Sequence, residues 1–100
     1  MDKYEVKLLG RALRDLDEVY GYIAKTLLEP GTAENLLNEI ESEIFSLEQM
    51  PYRCPERRKG AYANKGYRQL LVKNYTILYR VEESKKQVVI VTVRYSRSNF

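Results

Sequence analysis

Residues 51–100 carry 12 Lys and Arg against 3 Asp and Glu, together with six of the nine tyrosines: Tyr52, Tyr62, Tyr67, Tyr75, Tyr79 and Tyr95. Guanidinium and ammonium groups neutralise phosphates while phenol rings stack on bases. Cations interleaved with rings therefore suit a nucleic-acid backbone with exposed bases. A basic surface that docks an acidic protein has the same composition, and composition alone leaves both readings open. The first fifty residues have the opposite sign, 5 Lys and Arg against 11 Asp and Glu, so the overall charge of +3 conceals a strongly basic half.

What is missing narrows the chemistry further. The chain has no histidine, so no Ser-His-Asp or Cys-His pair can form, and metal sites built on imidazole are excluded. Its one cysteine, Cys54, lies between Pro51 and Pro55 in an expected loop and has no imidazole to activate it. The glycines are scattered singly, so there is no glycine-rich phosphate loop. Any acid–base chemistry falls to Lys, Arg, Tyr or a carboxylate, and neither a metal nor a small-molecule cofactor is expected. No apolar run approaches the ~20 residues of a membrane span, and Met1-Asp2-Lys3-Tyr4-Glu5 carries no apolar signal region. With a single cysteine, this points to a reducing, cytoplasmic setting.

The elements that must position these residues read as β-α-α-β-β-β in one domain spanning 1–100. Tyr4–Leu8 alternates as a short strand. From Arg11 the period changes: Leu13, Leu16, Val19/Tyr20, Ile23 and Leu27 mark one face of a helix that stops before Pro30-Gly31. Thr32 is the expected N-cap of a second helix through Ala33, Leu36, Leu37, Ile40, Ile44 and Leu47 to about Gln49, with Glu34, Glu41 and Glu48 on its solvated face. Residues 51–66 read as a basic, turn-rich loop holding Arg57, Arg58, Lys59 and Lys65, candidates for phosphate contact together with Lys73. Strands follow at Tyr67–Lys73, Tyr75–Glu82 and Gln87–Tyr95, joined tightly enough to be antiparallel. The fold class is α+β, with both helices on one face of a small, curved, mainly antiparallel sheet.

Strand parity then assigns faces. Tyr75, Ile77, Tyr79 and Val81 form the set that must meet the helices, with Thr76, Leu78, Arg80 and Glu82 opposite. In the last strand Val89, Val91, Val93 and Tyr95 make the better core set, and in the first strand of the meander Tyr67 and Leu71 do. That parity turns Arg68, Arg80 and Arg94 onto one open face, made partly apolar by Leu70, Val88 and Ile90.

Two segments carry a resemblance: Gly66-Tyr67-Arg68-Gln69-Leu70-Leu71-Val72-Lys73-Asn74-Tyr75-Thr76-Ile77-Leu78-Tyr79-Arg80-Val81, and Val88-Val89-Ile90-Val91-Thr92-Val93-Arg94-Tyr95-Ser96-Arg97. With the length, the two preceding helices and the loop Met50–Pro55, the chain resembles the RelE/ParE superfamily of bacterial toxins, plasmid-stabilisation type. The resemblance implies a type II toxin–antitoxin system whose antitoxin wraps the toxin with a disordered, amphipathic segment. Members differ in target: RelE-like toxins cleave mRNA on the ribosome, whereas ParE-like toxins poison DNA gyrase. The RelE chemistry needs no metal. A 2′-hydroxyl attacks the adjacent phosphate while cations stabilise the developing charge and a basic or phenolic group moves protons. Under that reading the expected catalytic residues are Arg68, Arg80, Arg94, Tyr95 and Arg97. Two positions depart from the nuclease pattern: Thr76 stands where many members have arginine, and Phe100 where some have a functional tyrosine. Those two departures favour the gyrase poison, while the excess of positive charge in the second half tilts the expected function to growth arrest by ribosome-dependent mRNA cleavage. The alternatives are a gyrase poison and an inactive toxin kept as an antitoxin ligand.

Overall fold

In the computed structural model, which describes residues 3–97, a four-stranded sheet carries two helices on one face. Strands β1 (Glu5–Leu8), β2 (Arg68–Val72), β3 (Tyr75–Glu82) and β4 (Gln87–Tyr95) lie in the order β1-β4-β3-β2. β1 runs parallel to β4, and the other pairs are antiparallel. The parallel pair requires a long crossover, and helices α1 (Gly10–Gly21) and α2 (Pro30–Phe45) supply it.

α1 turns Ala12 and Leu16 into the core and the turn that follows it buries Ile23, so the buried stripe starts one position earlier than the leucine pattern implies, and Leu13 is left 53% exposed. Its last turn widens into a π-helical stretch, Tyr22–Thr26, which Leu28 closes in a left-handed conformation (φ 57°). α2 begins at Pro30 rather than at a Thr32 cap. Proline fits the first helical position, where the missing N–H has no partner to lose, and the Thr32 hydroxyl donates to Glu29 inside that first turn. Ile40 and Ile44 of α2 and Leu47 beyond it meet Ile77 and Tyr79 in the core, all fully buried.

Two parity assignments are corrected here. The Lys73-Asn74 turn pairs Val72 with Tyr75, so Leu70 and Arg68 share the helix-facing side with Ile77 and Tyr79, while Leu71 points away and is 62% exposed. In β4 a bulge places Thr92 opposite Leu78 but Ile90 opposite Tyr79, leaving Val91 as the extra residue. Val93 and Tyr95 keep the expected face. Beyond the bulge it is Val88 and Ile90, not Val89 and Val91, that face the helices. The expected open face of Arg68, Arg80 and Arg94, with its Leu70, Val88 and Ile90, is thereby dissolved.

The long loop before β2 is well anchored. Pro55–Arg57 runs along the free edge of β2, with Gln69 N–H donating to the Pro55 carbonyl (3.0 Å) and Arg57 N–H to that of Tyr67 (2.8 Å). This covers an edge that would otherwise offer unpaired backbone. The buried Tyr79 hydroxyl donates to the Pro51 carbonyl at 2.7 Å. Tyr4 and Tyr52 both donate to the Glu83 carboxylate, at 2.7 and 2.6 Å, and Lys86 pairs with its other oxygen. Lys86 foremost, then Tyr52 and Tyr4, hold the Glu83 carboxyl down at about 2. Because Glu83 ionises at lower pH in the fold than in the unfolded chain, its stabilisation is complete above about pH 4.5 and fades as pH falls toward 2. Glu83→Gln should therefore lower the melting temperature at pH 7 and flatten the acid limb between those values, as pH-dependent thermal melts would show.

Candidate functional site

A cleft of about 980 Å³ opens between α1 and the end of the sheet where β3 begins and β4 finishes. α1 contributes Arg11, Arg14, Asp15 and Glu18, the π-helical turn contributes Tyr22 and Ile23, and the sheet contributes Lys73, Tyr75, Val93, Arg94 and Tyr95. Leu27 and Leu36 add to its apolar floor.

Asp15 explains how these elements are held together. β1 stops pairing with β4 at Ile90, and past the bulge Val93 N–H points to an edge with no strand. Asp15 Oδ2 accepts that N–H at 3.0 Å and the Thr92 hydroxyl at 2.5 Å. Thr92 in turn accepts from Arg94 Nε at 3.3 Å, so the carboxylate locks α1 to the strand and orients Arg94 through one hydroxyl. Tyr75 and Tyr95 meet edge to face with centroids 5.7 Å apart. Burial first, then the neighbouring Tyr95 and Tyr22, pushes the Tyr75 phenol up, so it is neutral at physiological pH. Arg11 and Arg14 make no hydrogen bond or ion pair among the described residues. Lys73 lies 3.9 Å from Glu39. The result is a ring-lined cleft with an apolar floor, where Arg11, Arg14, Lys73 and Arg94 outnumber Asp15, half-buried and already committed to the backbone, and the exposed Glu18.

Of the ten site residues expected from sequence, Lys73, Arg94 and Tyr95 come together here. Arg68 lies on the helix side: its Nη1 donates to the Cys54 carbonyl at 2.6 Å, and its guanidinium stands 5.1 Å over the Tyr52 ring. Arg80 pairs with Glu82 at 3.1 Å. It shares the outer side with Arg94 but lies four residues along β3 from Thr76, the partner of Arg94, roughly 13 Å away at the usual rise per residue. Arg97 is exposed in the turn after β4. Arg57 is buried and spends its Nε on the Ala61 carbonyl (2.7 Å) and its Nη1 on Gln69 (3.3 Å), organising the loop. Arg58, Lys59 and Lys65 are exposed on that loop, away from the cleft. Thr76 is buried and shares a hydrogen bond with Ser96 at 2.8 Å, while Phe100 lies outside the described residues. Sequence reading missed Arg11, Arg14 and Tyr22. Their only signal is the i, i+3 spacing of the two arginines on a helix face away from Leu16.

Arg68→Ala follows from this placement. It removes charge-assisted bonds that fasten the Cys54 turn, and we expect a loss of about 2 kcal/mol in urea unfolding with the cleft's binding intact.

Among the described residues no cluster of His, Cys, Asp and Glu is placed to hold a metal ion, and no helix is long and apolar enough to cross a membrane.

Comparison with solved structures defines the fold class first. The chromosomal ParDE system of P. aeruginosa superposes with a TM-score of 0.77 at 21% identity, covering 95% of this chain and 98% of the other. The RelBE2 toxin–antitoxin complex of Mycobacterium tuberculosis gives 0.70 at 23% identity over 95% and 93%. The intact E. coli RelBE complex gives 0.63 at 13% over 95% and 99%. This is the RelE/ParE fold. The profile of the ParE toxin of type II toxin–antitoxin systems, parDE, matches residues 6–100, and the chain belongs to that family. No curated protein matches the chain.

Proposed function

We propose that this toxin arrests growth by holding a protein target, DNA gyrase, and that its antitoxin neutralises it by laying an acidic, amphipathic segment in the cleft. The observation that supports a binding toxin over a nuclease is the dispersal of the cations. Arg68 is committed to the Cys54 carbonyl, Arg80 to Glu82, and Thr76 brings no charge. Phosphodiester cleavage needs donors converging within hydrogen-bond reach of one phosphate. Spread as they are, these groups suit a contact surface. The cleft suits a peptide for the same reasons that make it a poor nuclease: an apolar floor for one helix face, and Arg11, Arg14 and Arg94 at its rim for carboxylates.

Purified full chain incubated with gyrase, ATP and supercoiled plasmid should yield linear DNA after protease treatment. Undisturbed supercoiling would overturn the reading. One observation favours the second reading, ribosome-dependent mRNA cleavage: Arg94 and Tyr95 share the cleft with Arg11 and Arg14, three cations and a phenol in one place. In that case Tyr95→Phe would abolish new mRNA ends on translating ribosomes while leaving antitoxin binding unchanged.

A further inference from the structure

The basic turn at residues 57–66 serves neither the core nor the cleft, and its backbone is unusual. Every second residue from Gly60 to Gly66 is left-handed: Gly60 (φ 77°), Tyr62 (69°), Asn64 (57°) and Gly66 (85°), with negative φ between them. Tyr62 and Asn64 carry side chains in that region, which costs on the order of 1 kcal/mol each. The shape is imposed by the Arg57 guanidinium on the Ala61 carbonyl, by Asn64 N–H donating to the Arg57 carbonyl (2.9 Å), and by Ala63 N–H donating to Gly60 (3.2 Å). Alternating hand turns neighbouring N–H groups toward one side, the geometry of an anion-binding concavity. The N–H groups of Ala61, Tyr62, Lys65 and Gly66 donate to no acceptor among the described residues. Beside them Arg58, Lys59 and Lys65 are exposed and make no ion pair or hydrogen bond among the described residues. Next to the turn, and not lined by those four amides, a concavity of about 350 Å³ opens between Arg57, Arg58, Lys59, Gly60 and Gln69, and the acid on its wall, Glu56, lies 3.9 Å from Arg68.

We infer that this turn is a phosphate-binding site, used by the chain to grip the phosphodiester backbone of a nucleic acid without reading its sequence. Backbone N–H groups fix the phosphate oxygens, and Arg58, Lys59 and Lys65 neutralise adjacent phosphates along the strand. The site lies away from the cleft and does not depend on the proposed target: a toxin whose cleft is filled by its antitoxin keeps this grip.

Two measurements on the full chain test it. Anisotropy of a labelled DNA duplex of about 20 base pairs and arbitrary sequence should report binding that weakens about 40-fold from 50 to 200 mM salt, the slope for roughly three phosphates neutralised. The triple variant Arg58→Ala, Lys59→Ala, Lys65→Ala should lose at least tenfold in duplex affinity with an unchanged melting temperature. In parallel, inorganic phosphate should move the amide resonances of Ala61, Tyr62, Lys65 and Gly66. Moved amides without duplex binding would leave the phosphate site standing with a small phosphate compound as its ligand. Duplex binding undiminished in the triple variant, or four unmoved amides, would overturn the proposal.

Discussion

Reversing two charges at the rim of the cleft, Arg11→Glu with Arg14→Glu, should weaken antitoxin binding by at least about a hundredfold, since like charges set against each other across an interface cost several kcal/mol. The effect should be large because neither arginine has a partner of its own among the described residues. Their charge is therefore fully available to incoming carboxylates, and the replacement glutamates would repel them. Folding should be nearly untouched, because both side chains are exposed and exposed charges contribute little to stability. Titration calorimetry of the variant against the antitoxin, beside a thermal melt of the variant alone, separates binding from folding. Wild-type affinity in the double variant would remove the cleft as the antitoxin's seat.

The second large effect lies in the core. Tyr79 is fully buried, packs among core residues of both helices and the sheet, and donates to the Pro51 carbonyl. Tyr79→Ala should cost about 3–5 kcal/mol through the cavity it opens, roughly a fifth or more of the stability of a typical domain. Tyr79→Phe keeps the ring but leaves the Pro51 carbonyl without its donor, at about 1–3 kcal/mol. Urea unfolding distinguishes the two, and equal losses would show that the hydroxyl, not the ring, carries the effect. Burial foremost, then its hydrogen bond with Cys54, pushes the Tyr79 phenol well above its ordinary 10. A raised phenol stabilises the fold fully below pH 10. Above it the unfolded chain ionises first, and stability falls as pH rises.

The architecture was legible in the sequence because local signals agreed: the change of period at Arg11, the stop at Pro30-Gly31, and two tight connections that force a meander. The faces were less so. β4 reads Val88-Val89-Ile90-Val91-Thr92-Val93, apolar at nearly every position, and such a run carries no parity. A bulge at Val91 then shifts the register midway, so each parity is right for half the strand. The face of Arg68 is legible in the turn. A two-residue turn at Lys73-Asn74 places Val72 opposite Tyr75 and hence Arg68 on the side of Tyr79. The cleft was hidden for a different reason. Arg11 and Arg14 are ordinary exposed helix residues until Asp15 docks α1 on the edge of β4, and that docking depends on a backbone N–H, which the sequence does not display.

The central claim, a toxin that acts by holding gyrase, is tested most directly by inducing the chain in bacteria and pulse-labelling DNA and protein synthesis within minutes. The account predicts early loss of DNA synthesis, with filamentation and an induced damage response, while protein synthesis continues. Early loss of protein synthesis, with new 5′ ends inside translated codons, would contradict it and assign the chain to the nucleases of its superfamily.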